Sequence, residues 1–260
     1  MNALPRRLRA KWDELIATEG AAMGLSECRV FLENKLVNDI FYVGLYNGSP
    51  CMVKCSSRAP ESILNEYEIG RRLHAADPVH FPAIYACRPG RFAFVVTERI
   101  GTSVSLADRL CDGYADEIAA ILDALYAANV VYRDILPSNF LISPEGRLKL
   151  IDFQFAVDMS SGRVDPWLMK HPIYHFGVFA AGISDGGAWW DDAAFACTVF
   201  PAARPVLRSR IGRLRFEMSF SFPVRMLLRF HVCKMRVQRM FCGRKSRKYR
   251  TLTRRLERFG

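Results

Sequence analysis

Short apolar runs separated by turn-forming residues occupy much of the first hundred residues and predict an antiparallel sheet. Residues 40–46 and 51–55 are two such runs, and an Asn-Gly dipeptide lies between them. Asn-Gly between apolar runs is a strong signal for a β-hairpin, because both residues tolerate the positive φ angles of a tight turn. Two further runs, residues 81–85 and 92–98, predict the last two strands of the same sheet.

One helix is predicted between these two pairs of strands. Pro60 marks its start, and its body has the sequence ESILNEYEIGRRLHA. Proline is common in the first turn of a helix, where its missing N–H is not needed. Ile63, Ile69 and Leu73 lie at helical spacing and predict one apolar face.

The middle of the chain predicts a helix followed by a second hairpin. Residues 116–129 carry isoleucines and leucines at helical spacing, and the apolar runs 140–142 and 148–151 come after it. Pro144-Glu145-Gly146 separates these two runs and predicts a turn. The pattern therefore predicts helix, loop and hairpin in that order.

Three polar residues stand at the ends of these predicted elements. Asp134 and Asn139 lie in the loop after the helix, and Asp152 directly follows the second strand of the hairpin. Aspartate, proline, serine and asparagine are common wherever a chain turns, so any one of the three has an ordinary interpretation as a loop residue. As an ordered set they suit Mg²⁺ chemistry, since this ion prefers oxygen ligands and completes its shell with phosphate and water.

This order resembles the catalytic core of the protein-kinase-like superfamily. Its loop is written H-R-D-x-x-x-x-N and is followed by D-F-G, and the corresponding strings are Tyr132-Arg133-Asp134, Asn139 and Asp152-Phe153-Gln154. The resemblance implies an α+β, two-lobed fold, with a small antiparallel-sheet N-lobe and a mainly helical C-lobe. It also implies an ATP- and Mg²⁺-dependent kinase in which Asp134 is the catalytic base and Asn139 and Asp152 are metal ligands.

The same resemblance indicates further site residues upstream. Lys54 ends the second strand of the first hairpin, where the family carries its phosphate-binding lysine, and Glu66 is the expected partner on the following helix. Glu66 shares the apolar face of that helix, and a carboxylate there needs a partner. Glu68 is the alternative. The hinge residues Glu98 to Ile100 are expected to bind adenine through their backbone groups.

Several positions depart from the family pattern. Residues 30–44 contain one glycine and no G-x-G-x-x-G phosphate loop, and Tyr132 replaces the usual histidine. Leu136 stands where serine/threonine protein kinases carry a lysine, which disfavours a protein substrate. Gln154 replaces a glycine, which restricts the backbone. Residues 188–195 predict the start of a helix, with Asp192 as an anchor for the catalytic loop.

The charge distribution separates the catalytic region from a basic extension. The net charge is +11, yet the chain from Arg204 onwards carries 18 lysines and arginines against two acidic residues. We predict three parts: an N-lobe (1–98) with an N-terminal helix, a five-stranded sheet and one further helix, a C-lobe (99–203), and a basic helical extension (204–260). Basic amphipathic segments suit an anionic membrane surface, although packing on the C-lobe is the alternative. Nucleic acid is a less favoured partner because stacking aromatics are sparse.

The short length, the lost motifs and the basic extension resemble bacterial kinases that act on lipopolysaccharide core sugars. This narrower resemblance implies a sugar or glycolipid acceptor at the inner face of the cytoplasmic membrane. Eight cysteines without a C-x-x-C pair, and no apolar signal segment, are typical of a cytoplasmic protein. A protein or small-molecule kinase and a non-catalytic pseudokinase that serves as a binding module remain the alternatives.

Overall fold

The computed structural model describes residues 4–34, 39–105, 112–161, 182–184 and 187–218, together with Val237. The chain divides into two compact units. The first unit comprises Met1–Val104 and Ser138–Ala156, and the second comprises Ser105–Pro137 and Val157–Gly260. The predicted divisions after residues 98 and 203 stay predictions.

The first unit is built around a five-stranded sheet in which every neighbouring pair of strands is antiparallel. The strand order is β1-β2-β3-β5-β4. The strands are β1 (Leu25–Asn34), β2 (Asp39–Tyr46), β3 (Ser49–Ser56), β4 (Ile84–Arg88) and β5 (Ala93–Glu98). The predicted hairpin is β2–β3, and its turn residues Asn47 and Gly48 have φ angles of 48° and 85°. This Asn-Gly prediction is confirmed.

The described part of the first unit contains two α-helices, and a π-helical turn (Ile16–Gly20) continues the first of them. Helix α1 (Arg6–Leu15) buries Trp12 completely, edge-on to Phe92 with 5.2 Å between ring centroids. Helix α2 (Pro60–Ala76) begins at the predicted proline and buries Ile63, Ile69 and Leu73. The predicted apolar face is therefore confirmed.

The predicted strand at residues 81–85 is wrong in its position, because β4 runs from Ile84 to Arg88. Phe81 is fully buried outside the sheet, with its ring centroid 5.9 Å from that of Phe153. Pro82 follows it and has no N–H to donate to a neighbouring strand. The apolar run at 81–85 therefore begins with a residue that is buried outside the sheet, and only its last two residues belong to a strand.

A smaller sheet in the same unit has the strand order β6-β8-β9 and contains the second predicted hairpin, which is confirmed. Its strands are β6 (Thr102–Ser103), β8 (Phe140–Ile142) and β9 (Leu148–Leu150). Gly146 makes the turn with a φ of 79°. Gly101 precedes β6, and a Cβ there would lie 2.2 Å from the carbonyl oxygen of Ile142. The hinge therefore passes β8 too closely for a larger residue.

The second unit contains helices and short strands in its described part. The helices are α3 (Ala115–Ala127), α4 (Asp192–Val199) and α5 (Arg204–Leu207), and the strands are β7 (Val130–Val131), β10 (Val157–Asp158), β11 (Gly182–Ser184), β12 (Gly187–Trp190) and β13 (Phe216–Met218). Helix α3 confirms the predicted helix. Strand β7 pairs with β10, and β12 pairs with β11 and β13.

The helix start predicted at residues 188–195 is correct only from Asp192. Residues 188–190 belong to strand β12, and α4 begins where the Asp191 side chain accepts a hydrogen bond of 3.0 Å from the backbone N of Ala194. Aspartate is a preferred N-cap because it satisfies an amide that the first turn leaves without a partner. The apolar character of the segment did not reveal this boundary.

The predicted basic helical extension is described only at 204–218 and Val237, and the remainder lies outside the described residues. Helix α5 and strand β13 occupy part of its described start. Across the parts of the chain that the structure describes, none of the helices combines the length and apolar character needed to span a bilayer.

Candidate active site

Lys54 and Glu66 form a buried ion pair between β3 and α2. The Lys54 Nζ lies 2.7 Å from the Glu66 Oε2, and each side chain is 7% exposed. In the strand register, Lys54 stands opposite Phe41 on one side and Val95 on the other, so it occupies the middle of the sheet. The partnership expected from the sequence is therefore present.

Asp152 is the second partner of the same lysine. Its Oδ1 lies 2.6 Å from the Lys54 Nζ, and its side chain is 26% exposed. Asp152 follows β9 and has a φ of 65°, in the left-handed region that non-glycine residues rarely adopt. Such backbone strain persists only where the surroundings hold it in place, and it is common at functional sites.

One ammonium group is thus shared by two carboxylates, and the pKa values reflect this. Burial acts to lower the pKa of Lys54, but the negative charges of Asp152 and Glu66 outweigh it and raise the pKa above its ordinary value. Burial, together with the negative charge of Asp152, raises the pKa of Glu66 to about 7 against the opposing charge of Lys54. Two carboxylates share one ammonium group, so the cluster favours the binding of an additional cation.

A cavity of about 670 Å³ opens onto this cluster within the first unit. This volume lies inside the range of roughly 300–1,000 Å³ that small-molecule sites span. Lys54, Glu66, Asn139 and Asp152 line it together with Glu98 and Ile100. Much of the remaining wall is apolar and comes from Phe31, Leu32, Phe41, Met52, Pro82, Ile84, Leu141, Ile151 and Phe153.

Glu98 and Ile100, the first and last residues of the predicted hinge, both line the cavity. The backbone N of Glu98 donates to the carbonyl of Ala83 at 2.8 Å, so it is committed to the fold. The Glu98 carboxylate pairs with Lys149 on β9 at 2.9 Å and accepts the backbone N of Ala83 at 3.0 Å. The Glu98 side chain therefore has a structural contact that the sequence did not suggest.

The cavity wall on β1 differs from a glycine-rich loop. Phe31 and Leu32 line the cavity and are 60% and 38% exposed. The tip of the β1–β2 connection, residues 35–38, lies outside the described residues. Asp39 begins β2, is buried, and has a pKa raised by that burial.

Asp134, the predicted base, belongs to the second unit and is 4% exposed. The loop that carries it is anchored by Asp192, which accepts hydrogen bonds from the backbone N of Tyr132 at 2.6 Å and of Arg133 at 3.0 Å. Asp192 also accepts the Nε1–H of Trp190 at 2.5 Å. Burial raises the pKa of Asp192 to about 6 although these donors favour its charged form. The predicted anchor is confirmed.

Arg133 is held inside the second unit beside this anchor. Its guanidinium lies over the ring of Phe216, 5.0 Å from the centroid, and the residue is 6% exposed with a φ of 70°. Burial lowers the pKa of Arg133 to about 10, and the charges of Asp192 and Asp134 oppose that shift. These contacts indicate a structural part for Arg133.

Six of the predicted site residues line one cavity in the first unit: Lys54, Glu66, Glu98, Ile100, Asn139 and Asp152. The sequence did not single out Asn65, whose side-chain amide bonds to the segment after Asp152. Its position directly before Glu66 on the helix was the available signal. Excess carboxylate charge, an amide oxygen at Asn139 and a cavity of suitable size fit a nucleotide with Mg²⁺.

Comparison with known proteins agrees with this geometry. The family model of the protein kinase domain matches residues 56–173. The cAMP-dependent protein kinase catalytic subunit-like proteins of Caenorhabditis briggsae and Caenorhabditis elegans are both 24% identical over 152 residues, which is 54% of this chain and 39% and 37% of those proteins. The cAMP-dependent protein kinase catalytic subunit of Arthrobotrys oligospora is 46% identical over 46 residues, or 18% of this chain and 9% of that protein.

The chain spans about two fifths of the length of the first two curated relatives it matches. The family match extends from the end of β3 through α2, the catalytic loop and Asp152. The predicted α+β, protein-kinase-like fold is confirmed. The match over residues 56–173 covers less than half of this chain, and together with the antiparallel sheet and its helices it makes the chain similar to the protein kinase domain.

Proposed function

We propose that this protein is an ATP- and Mg²⁺-dependent phosphotransferase with an alcohol group as acceptor. The single observation that carries the proposal is the buried Lys54, held at 2.7 Å by Glu66 and at 2.6 Å by Asp152 on the wall of a cavity that Asn139 also lines. Phosphoryl transfer asks a protein mainly to position the phosphates and to stabilise their charge. This cluster offers groups for both tasks.

Each residue has a part in the proposed reaction. Lys54 donates hydrogen bonds to phosphate oxygens, and Glu66 keeps its ammonium group in place. Asn139 and Asp152 would hold Mg²⁺, which would neutralise charge on the phosphates. Asp134 accepts the proton of the acceptor hydroxyl as the oxygen attacks the γ-phosphorus and ADP leaves. Backbone groups of the hinge at Ile100 bind the adenine edge.

For the acceptor we propose a sugar hydroxyl of lipopolysaccharide core or of a similar lipid-linked glycan. Leu136 supports it, because the lysine that serine/threonine protein kinases carry at this position is missing. The basic composition of residues 204–260 also supports an anionic acceptor or surface. A serine or threonine of a protein is the second candidate, and the similarity to cAMP-dependent protein kinases favours it.

The test is transfer of labelled γ-phosphate from ATP to core oligosaccharide, to a serine/threonine peptide pool, or to no acceptor, with products identified by mass spectrometry. We expect transfer that requires Mg²⁺ and is abolished in Asp152→Ala. Asp134→Asn should lower the rate by roughly 100- to 10,000-fold, as loss of a general base does. Glu68→Gln, exposed on α2, is the matched control and should retain the rate.

Each outcome has a defined meaning. Transfer to the peptides alone would replace the sugar acceptor by a protein acceptor. If the folded wild-type protein binds ATP but transfers no phosphate, the proposed reaction is refuted and the protein is a non-catalytic binding module. Normal turnover by Asp152→Ala would show that the metal assignment is wrong.

We also propose that the protein lies at the inner face of the cytoplasmic membrane through its basic residues 204–260. Basic residues near an anionic surface contribute about 1 kcal/mol each before screening. Binding to phosphatidylglycerol vesicles should weaken as salt rises, since exposed charges are screened beyond about 10 Å at 0.1 M salt. Equal binding to phosphatidylcholine vesicles would contradict this proposal.

A further inference from the structure

The side-chain amide of Asn65 bonds to three carbonyl groups of one short segment. Its Nδ2 lies 3.0 Å from the carbonyl oxygen of Phe153, 3.1 Å from that of Gln154 and 2.9 Å from that of Ala156. An asparagine amide has two N–H donors, so three acceptors use its full donor capacity with one hydrogen shared. These hydrogen bonds fix the Asn65 side chain to the segment that follows Asp152.

These carbonyls converge because the chain turns directly after Asp152. The backbone N of Ala156 donates to the carbonyl of Phe153 at 3.0 Å and closes the turn. The Gln154 side chain reaches back to the Asp152 Oδ2, with 3.4 Å between the two atoms. Because Gln154 belongs to the turn and contacts the Asp152 carboxylate, a change in the turn would change the orientation of that carboxylate.

Helix α2 contacts both Lys54 and the segment that follows Asp152. Asn65 and Glu66 are neighbours on α2, and they reach the Asp152 segment and Lys54 respectively. Phe153 is fully buried and lies against the helix at Gly70, where an added Cβ would come within 3.2 Å of its ring. Packing and hydrogen bonds thus fix the turn against α2.

Asp152 needs this support because of its backbone. A φ of 65° is unfavourable for an aspartate, and such a conformation persists only where the surroundings hold it in place. The Lys54 contact fixes only one carboxylate oxygen. The three hydrogen bonds that Asn65 donates to the following carbonyls hold the turn together with its own backbone bond and the packing of Phe153.

We propose that Asn65 is a positioning residue that orients Asp152 toward Mg²⁺ by holding the turn at Phe153, Gln154 and Ala156. The inference rests on the proposed function and adds a residue to it. Because Asn65 acts through the metal ligand, its loss should weaken the contribution of Mg²⁺ to nucleotide binding and leave metal-free binding in place.

The test compares wild type with Asn65→Ala, Asn65→Asp and Asn65→Ser, with Glu68→Gln as the control on the same helix. Calorimetry measures the affinity of the full chain for a non-hydrolysable ATP analogue with Mg²⁺ and with EDTA. Partners of metal ligands typically contribute 10- to 100-fold to metal affinity or activity. We expect the affinity gain from Mg²⁺ to fall by roughly that factor in the Ala and Asp variants.

The serine variant retains one donor and should lose less, which keeps the test decisive if Asn65→Ala does not fold. The Mg²⁺ concentration for half-maximal turnover should rise in parallel, while Glu68→Gln should match wild type. Folded Ala and Asp variants with the full gain from Mg²⁺ would overturn the inference and leave the proposed function standing. Equal losses of affinity with Mg²⁺ and with EDTA would do the same. Absence of nucleotide binding by wild type would overturn both.

Discussion

Replacing Lys54 by methionine should destabilise the fold by an amount that depends on pH. The substitution removes one cation and leaves the carboxylates of Glu66 and Asp152 without it. Since the Lys54 and Glu66 side chains are each 7% exposed, solvent screens their interaction only weakly. Removing one partner of a buried pair typically costs about 3–5 kcal/mol. We expect a loss of this order in the free energy of unfolding above neutral pH.

The pH dependence follows from the pKa of Glu66. This pKa is already raised from 4.5 to about 7 by burial, and loss of the Lys54 charge raises it further. The folded variant then keeps a proton on Glu66 to a higher pH than the unfolded chain does, so its stability falls as pH rises. The deficit relative to wild type should therefore be smaller near pH 5 than near pH 8.

Urea unfolding followed by tryptophan fluorescence measures this deficit at the two pH values. The double variant Lys54→Met/Glu66→Gln removes the buried charge that the single variant leaves, and it should recover most of the deficit near pH 8. Residues in contact are expected to show such coupling. A deficit that is equal at both pH values, together with no recovery in the double variant, would refute the assignment of Lys54 and Glu66 as a buried pair.

Three further predictions concern stability. In wild type, the contribution of Glu66 to the free energy of unfolding should fall as pH rises through its raised pKa, because that pKa is higher in the folded state, and Glu66→Gln should remove this slope in urea titrations. Asp192→Ala should cost at least about 3 kcal/mol, since it leaves three donors without their acceptor; a loss below about 1 kcal/mol would contradict the anchoring role. Gly101→Ala should lower thermal stability by roughly 1–3 kcal/mol, because its Cβ meets the Ile142 carbonyl; an unchanged melting temperature would count against that close approach.

Local sequence signals predicted the elements that depend on near neighbours. The hairpin at Asn47-Gly48 is confirmed because the dipeptide itself favours the turn, and α2 is confirmed because its apolar face repeats at helical spacing. The partnership of Lys54 with Glu66 was also accessible, since a carboxylate on a buried helix face needs a cation. The hairpin, the helix and the ion pair can therefore be predicted without knowing which distant residues they contact.

The remainder depends on contacts that sequence spacing does not encode. Phe81 is apolar because it packs on Phe153, and this burial resembled a strand in the sequence. The start of α4 depends on Asp191 as a cap, which the preceding aromatic residues obscured. Asn65 gains its importance from three carbonyls that lie 88 to 91 positions further along the chain. Long-range hydrogen bonds of this kind appear only once the chain is folded.

The central claim is that the Lys54, Asn139 and Asp152 cluster binds a nucleotide together with Mg²⁺. Its most direct test is the equilibrium affinity for ATP over a series of Mg²⁺ concentrations, in wild type and in Asp152→Asn. We predict that wild type binds ATP more tightly as Mg²⁺ rises and that Asp152→Asn loses this increase while staying folded. An ATP affinity of wild type that does not depend on Mg²⁺, or an unchanged increase in Asp152→Asn, would contradict the account.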